Sequence, residues 1–320
     1  MSKDNNIQDL LHDVADAIRE KKGTTDLINP QDFSSEIASI ETSSSMWTGH
    51  ADVEGLKAIG WDDDDIAYFQ EHGVNWMEED DVYHKVSDDN KALYGVLTVD
   101  NIQEYKDRIV YLPKIDLSGS LYLKFKGFSK LKGLPILDLG RVTNLNQAFY
   151  GCGATCLCLQ NTSKISSFAS AFRECTYLMH INHFDTSTNG ARDYALYGCI
   201  FLKEGVPVNI SGTYDIRYLY SSCTSMMKCG DIDASGRDIS TIFATCRSLS
   251  QVKINNLCSN LDLKTAAPFS GTSLLYMIEH EAATEDITIT LHASVYARLA
   301  EDPDIVEALS NHPLVTLASA

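Results

Sequence analysis

Ala148-Phe149-Tyr150-Gly151-Cys152, Ala171-Phe172-Arg173-Glu174-Cys175 and Ile242-Phe243-Ala244-Thr245-Cys246 are copies of one pattern, an aromatic residue with a cysteine three positions later. Leu196 with Cys199 and Tyr220 with Cys223 fall between them, so the five cysteines are separated by 23, 24, 24 and 23 residues. Three residues past the cysteine stands a large apolar residue in four units: Leu178, Leu202, Met226 and Leu249. Thr155 breaks that column. Degenerate copies flank the set, with Phe125, Phe128 and Leu131 before it and Phe269, Thr272 and Leu275 after it, for about seven units.

Each unit runs on into a short strand-like stretch: Ile136 to Leu139, Cys156 to Leu159, Met179 to Ile181, Val206 to Ile210 and Val252 to Ile254. A period in the low twenties with one strand per unit is that of a leucine-rich-repeat-like solenoid. One unit cannot bury its apolar side alone, so stacking must turn equivalent residues into continuous interior columns. The expected ladder is Phe149, Cys152, Phe172, Cys175, Leu178, Leu196, Cys199, Leu202, Tyr220, Cys223, Met226, Phe243, Cys246 and Leu249. Cysteine suits such a column because it is small, weakly polar and often buried. Metal binding is the competing reading of these thiols, but this spacing lines sulfurs in a row rather than around a tetrahedron. Catalysis is disfavoured because no cysteine is set apart from its neighbours by a local motif. In Cys156-Leu157-Cys158 at least one sulfur is expected inside.

The fold class expected is α+β: a small helical N-terminal region, then the solenoid, then a C-terminal cap. Four parts are distinguished: an N-terminal helical anchoring segment over 1–41, an acidic helical domain over 42–108, the repeats over 109–285 and the cap over 286–320. In the first part Ile7, Leu10, Leu11, Val14, Ala15 and Ile18 recur at helical spacing, and Phe33, Ile37 and Ile40 follow the N-cap Asn29 and Pro30. In the second, Asp62 to Asp65 sits where a helix begins, and acids there complement the helix dipole. The alternating ligands, central glycine and terminal glutamate of a calcium loop are missing from it. Trp61 and Trp76 are read as core plugs. In the cap, Ile287 to Leu291 alternates as a strand, followed by helical runs Val295 to Leu299 and Ile305 to Leu309 and a strand near Leu314 to Leu317.

Charge divides along the same line. The formal charge is −18, and residues 1–110 hold 25 acids against 9 bases, whereas 111–320 hold 19 against 17. An acidic N-terminal part repels phosphate backbones, so nucleic-acid binding is not expected. No apolar run of membrane-spanning length and no basic-then-apolar leader stands at Met1 to Asn6, so neither membrane insertion nor export is expected. Nine cysteines, an odd number, without an export signal argue for reduced thiols. His180 and His183 near Asp185 invite a zinc reading, yet no third ligand is implied and ordinary turn hydrogen bonding explains them. No Walker loop, GxSxG or HExxH occurs, so neither an enzyme nor a cofactor is expected.

Two stretches carry resemblances. The aromatic–cysteine units resemble BspA-type leucine-rich repeats, with their MFxxCxxL core, found in bacterial surface proteins and phage genomes. Leu196 and Tyr220 in place of Phe, and Thr155, are departures that do not oppose that fold. The stretch Ala15-Asp16-Ala17-Ile18-Arg19-Glu20-Lys21-Lys22-Gly23, continuing to Ile28-Asn29-Pro30-Gln31-Asp32-Phe33, is similar to a segment common in phage tail and fibre proteins. The acidic block from Trp47 to Gly95 also resembles fibre or tail proteins of gut Bacteroidales phages, including crAss-like ones.

These resemblances imply a structural component of a virion, a tail or head fibre or adhesin made in the host cytoplasm. Its N-terminus would join other virion proteins, and its solenoid would meet a host surface glycan or protein, or a neighbouring subunit. A homo-oligomer is implied, fibres being commonly trimers, although no long heptad pattern demands it. The alternative is a BspA-like bacterial cell-surface adhesin, which predicts an export signal. A glycan-degrading enzyme would need paired carboxylates converging in a cleft, and acids in the repeats are scattered. Candidate contact residues are turn-borne aromatics outside the ladder: Tyr150, Tyr177, Tyr197 and Tyr218. Ordinary half-buried packing is their competing reading.

Overall fold

A computed structural model describes residues 53–73, 86, 88–182, 191–206, 208–209 and 216–320. The chain divides into two compact units, Met1–Met46 and Trp47–Ala320. The expected helices of residues 7–40 fall in the first unit and lie outside the described residues; Trp76, His183 and Asp185, in the second unit, also lie outside them. What is described is a mixture of helix and short strand, in sheets of two or three strands.

Every strand pair and bridge among the described residues is parallel and joins one pass of the chain to the next. Tyr111 pairs with Gly133, Cys156 with His180, Glu204 with Lys228, and Lys228 with Gln251. A second row joins Leu137 to Leu159, Val208 to Ile232, and Ile232 to Ile254. Parallel partners this close in sequence require a full return of the chain between them. One apolar cluster runs from Leu93 through the passes to Val315.

The arc between strands carries its own backbone device. In five passes two positions are left-handed, two residues before and two after the ladder residue, and the Phe243 pass keeps only the second. The first set is Leu123, Gln147, Ser170, Tyr194 and Tyr218; the second is Gly127, Gly151, Glu174, Gly198, Ser222 and Thr245. The recurring glycines at the second position relieve the strain that a side chain meets there. This alternation aims every second N–H at the next pass. Phe125 N donates to Ala148 O, Phe149 N to Ala171 O, Phe172 N to Ala195 O and Leu196 N to Leu219 O, at 2.8 to 3.0 Å. The first pass has no predecessor to fill its carbonyls. Gln103 takes that place, its Nε2 donating to Leu123 O at 2.6 Å and Lys124 O at 2.9 Å.

Thr155 does not interrupt the leucine column; the unit is one residue shorter. Lys132 N, Thr155 N, Met179 N, Lys203 N, Met227 N and Ser250 N bond the preceding pass at equivalent points. Every other member of that row follows its cysteine or cysteine equivalent by four residues, and Thr155 follows Cys152 by three. Ala154, 1% exposed, therefore takes the leucine place. The Phe269, Thr272, Leu275 frame also needs correction. Phe269 is buried, but Ser270 caps a helix, Gly271–Glu279, which buries Ser273, Leu274, Met277 and Ile278 and leaves Thr272 exposed. A helical turn advances by 3.6 residues, so the three-residue frame of the tighter turns fails there.

Helices α1 (Val53–Ala58), α2 (Asp63–His72) and α3 (Asp88–Leu93) precede the passes, and α4 is Gly271–Glu279. Asp62 caps α2 through the Asp65 N–H, and Asp65 returns the bond to the Asp62 N–H. The helix lies over the outer face of the first strands. Trp61, Phe69 and Tyr111 meet edge to face at 5.5 to 6.3 Å, in a cluster with Leu56, Ile59, Ile66, Val86 and Cys156. Gly133 permits that approach, since a Cβ there would stand 2.8 Å from the Phe69 ring.

At the far end, strands Leu261–Leu263, Ile287–Leu291 and Val315–Ser319 form one parallel sheet, with α5 (Ala293–Leu299) and α6 (Pro303–Asn311) between the last two. Ile287 to Leu291 alternates buried and half-buried. This end extends the parallel pairing, with Ile287 opposite Val315 and a longer, helical return.

Candidate functional site

All fourteen ladder residues named from the sequence are at most 1% exposed. The rings stack directly: Phe125 on Phe149 at 4.8 Å, Phe149 on Phe172 at 5.7 Å, and Tyr220 on Phe243 at 5.9 Å. The cysteines do more than fill space. Cys175 Sγ donates to Phe149 O at 2.9 Å, Cys199 to Phe172 O at 3.2 Å, Cys223 to Leu196 O at 3.1 Å and Cys246 to Tyr220 O at 3.0 Å. Each of these carbonyls also accepts a backbone N–H of its own turn, Cys152 N to Phe149 O at 3.0 Å, Cys175 N to Phe172 O at 3.1 Å, Cys199 N to Leu196 O at 3.2 Å and Cys223 N to Tyr220 O at 3.0 Å. The thiol therefore fills the second lone pair and ties two passes together at no cost in volume. The sequence gives no sign of this bond, because its acceptor belongs to the preceding pass. Tyr220 uses its hydroxyl similarly, donating to Val206 O, which explains a phenol in a phenylalanine column.

Burial pushes these thiols away from ionisation, Cys152 and Cys246 up to about 12 and Cys175, Cys199 and Cys223 well above the usual thiol range. The thiolate is the nucleophile and metal ligand, so these sulfurs are chemically quiet near neutral pH. Cys156, Leu157 and Cys158 are all buried, but they face different ways. Leu157 joins the cluster of the passes, and Cys156 the one beneath α2. Only Cys258 is half-exposed. A disulfide-exchange reagent at pH 8 is therefore expected to modify Cys258 first and the five ladder thiols only on unfolding. Rapid labelling of Cys199 in the folded protein, located by mass spectrometry, would contradict the ladder.

The candidate contact tyrosines separate into two places. Tyr150, Tyr197 and Tyr218 are half-buried on one ridge, joined by Tyr194, which the sequence reading missed. Arg173 lies at their centre, 5.6 Å from the Tyr150 ring, 5.1 Å from Tyr194 and 5.0 Å from Tyr197. Tyr194 stacks on Tyr218 at 5.0 Å, and the Lys126 ammonium sits 4.7 Å from Tyr150. The period that builds the core also places these side chains, one pass above another. Tyr177 is elsewhere. It is 43% exposed and borders a cavity of about 290 Å³ with Val110, Ser129, Lys130, Lys132, Gly153 and Thr155.

His180 belongs to neither place. Its ring stacks on His72 of α2 at 3.9 Å and lies 6.0 Å from Tyr68, whose hydroxyl donates to Leu157 O at 2.8 Å. The two imidazoles serve as a packed junction between helix and strand. No group of three or more acids, histidines and cysteines placed to hold a metal occurs among the described residues. No helix among them is long and apolar enough to cross a membrane. Comparisons with protein-family models, curated proteins and solved structures give no match to this chain.

Proposed function

We propose that this chain is a structural component of a bacteriophage particle, a tail or head fibre or adhesin built on a leucine-rich-repeat-like solenoid. Residues 1–41 anchor it to other virion proteins, and the repeats display a side-chain surface toward a host glycan or protein, or toward neighbouring subunits of a homo-oligomer. The particle is supported by the resemblance of residues 15–33 to phage tail and fibre segments. The display role is supported by what the reactive residue types do. Four ladder thiols donate to backbone carbonyls of the preceding pass, so the sulfurs maintain a scaffold rather than carry chemistry. That observation carries the reading. Parallel passes held this way set Tyr150, Arg173, Tyr194, Tyr197 and Tyr218 at fixed spacing, and preorganised surfaces bind at lower entropic cost.

Removal of residues 1–46, the whole of the first compact unit, tests the anchor. The remainder is expected to express as a folded protein and to be lost from purified particles, as read by immunoblot of particle fractions. Undiminished incorporation would overturn the anchoring role.

A further inference from the structure

The cavity beside Tyr177 lies at the short unit, where Ala154 takes the leucine place one residue early, and Gly153 and Thr155 on either side of it line the cavity. Backbone hydrogen bonds hold its lining residues in place: Lys132 N donates to Val110 O at 2.7 Å, Gly153 N to Phe128 O at 3.0 Å and Thr155 N to Lys132 O at 3.3 Å. Gly153 lets the two passes approach closely beside it, since a Cβ there would fall 2.2 Å from Ser129 O. Lys132 is half-buried at this cavity and Lys130 exposed beside it. Neither ammonium makes an ion pair or hydrogen bond with a described residue. Burial, with no acid to offset it, holds the Lys132 ammonium below the usual lysine range. A desolvated cation without a counter-charge is unfavourable in the empty protein and favours capture of an anion.

We infer that this cavity binds a carboxylate-bearing sugar, a uronic-acid residue of a surface glycan. Lys130 and Lys132 meet the carboxylate, Ser129 offers a hydroxyl to the sugar hydroxyls, and the exposed Tyr177 ring offers an apolar face to the ring C–H groups. The cavity, about 290 Å³, lies at the small end of ligand sites, near 300 Å³, which matches one sugar ring rather than a chain. The identification of the ligand as a host glycan rests on the display reading above; the anion site itself does not.

Calorimetric titration of the full chain with glucuronate, glucose, acetate and inorganic phosphate tests it directly. Glucuronate is expected to saturate one site, with glucose, acetate and phosphate each weaker by about tenfold or more. Lys132→Met and Tyr177→Ala are each expected to weaken glucuronate about tenfold, and Lys130→Met, at an exposed position, does so without risk to folding. Absence of saturation, equal affinity for glucose, or full binding by Lys130→Met and Lys132→Met overturns the proposal. Acetate or phosphate binding as tightly as glucuronate overturns the sugar and leaves a bare anion site. Failure of particle incorporation, by contrast, would strike only the display reading.

Discussion

Phe172→Ala is expected to lower the unfolding free energy by about 3–5 kcal/mol, the usual cost of truncating a buried aromatic. The ring is fully buried, stacked on Phe149 at 5.7 Å and 18°. The loss falls at the high end because the site cannot collapse. Phe172 N bonds Ala195 O, and Phe172 O accepts the Cys199 thiol, so the neighbouring passes are held at their spacing whatever the side chain. The cavity therefore stays, and its unfilled volume adds to the lost transfer energy. Phe172→Leu is the internal comparison, since Leu196 occupies the same column one pass on; about 1 kcal/mol is expected. Denaturant unfolding with the slope unchanged checks both. A Phe172→Ala midpoint equal to that of the parent would place Phe172 outside the cooperative core.

Asp65→Ala is the second large effect, about 3 kcal/mol, since truncating a buried, multiply bonded carboxylate strands several partners. Asp65 is 1% exposed and serves three elements. It accepts from Asp62 N at the start of α2, from Ile136 N in the repeats at 2.8 Å, and from Lys114 Nζ at 2.6 Å. Its loss removes a helix cap and the clamp that holds α2 on the first passes. Asp65→Asn, which can still accept a bond, is expected to cost less, and the difference reports the ionic part. Lys114 softens that part because it is 39% exposed and keeps Asp62 as a partner at 2.6 Å. A melting profile unchanged by Asp65→Ala would show that the helix is held by its apolar contacts alone.

The same cluster gives a pH dependence. The Lys114 ammonium, followed by the Asp65 N–H, holds the Asp62 carboxyl below its usual range. A lowered acid binds its proton more weakly when folded, so its contribution is complete above the ordinary carboxylate value near 4. It is lost as pH falls through the lowered folded value. In Lys114→Met the acid-side decline in stability is expected to be shallower, since the largest cause of that lowering is gone.

Much of this protein was legible in its sequence because repetition turns burial into a pattern. Phe149, Phe172 and Phe243, with the cysteines three residues on, announce a column, since a side chain meeting its equivalent one pass away must recur at the length of a pass. Asp62 and Asp65 read as a helix start for a local reason, and they form one. The shortened unit at Ala154 was not legible: a one-residue gap looks like a substitution at Thr155 until the hydrogen bonds from Lys132 to Met179 fix the register. Gln103 and the cysteine thiols were illegible as donors because each acts on a carbonyl in another segment. Local spacing determined which side chains turn inward. Only the stacking of passes decided what each inward atom meets, which tyrosines share a ridge and where a cavity opens, because those are contacts between residues whose separation in the chain carries no record of their separation in space.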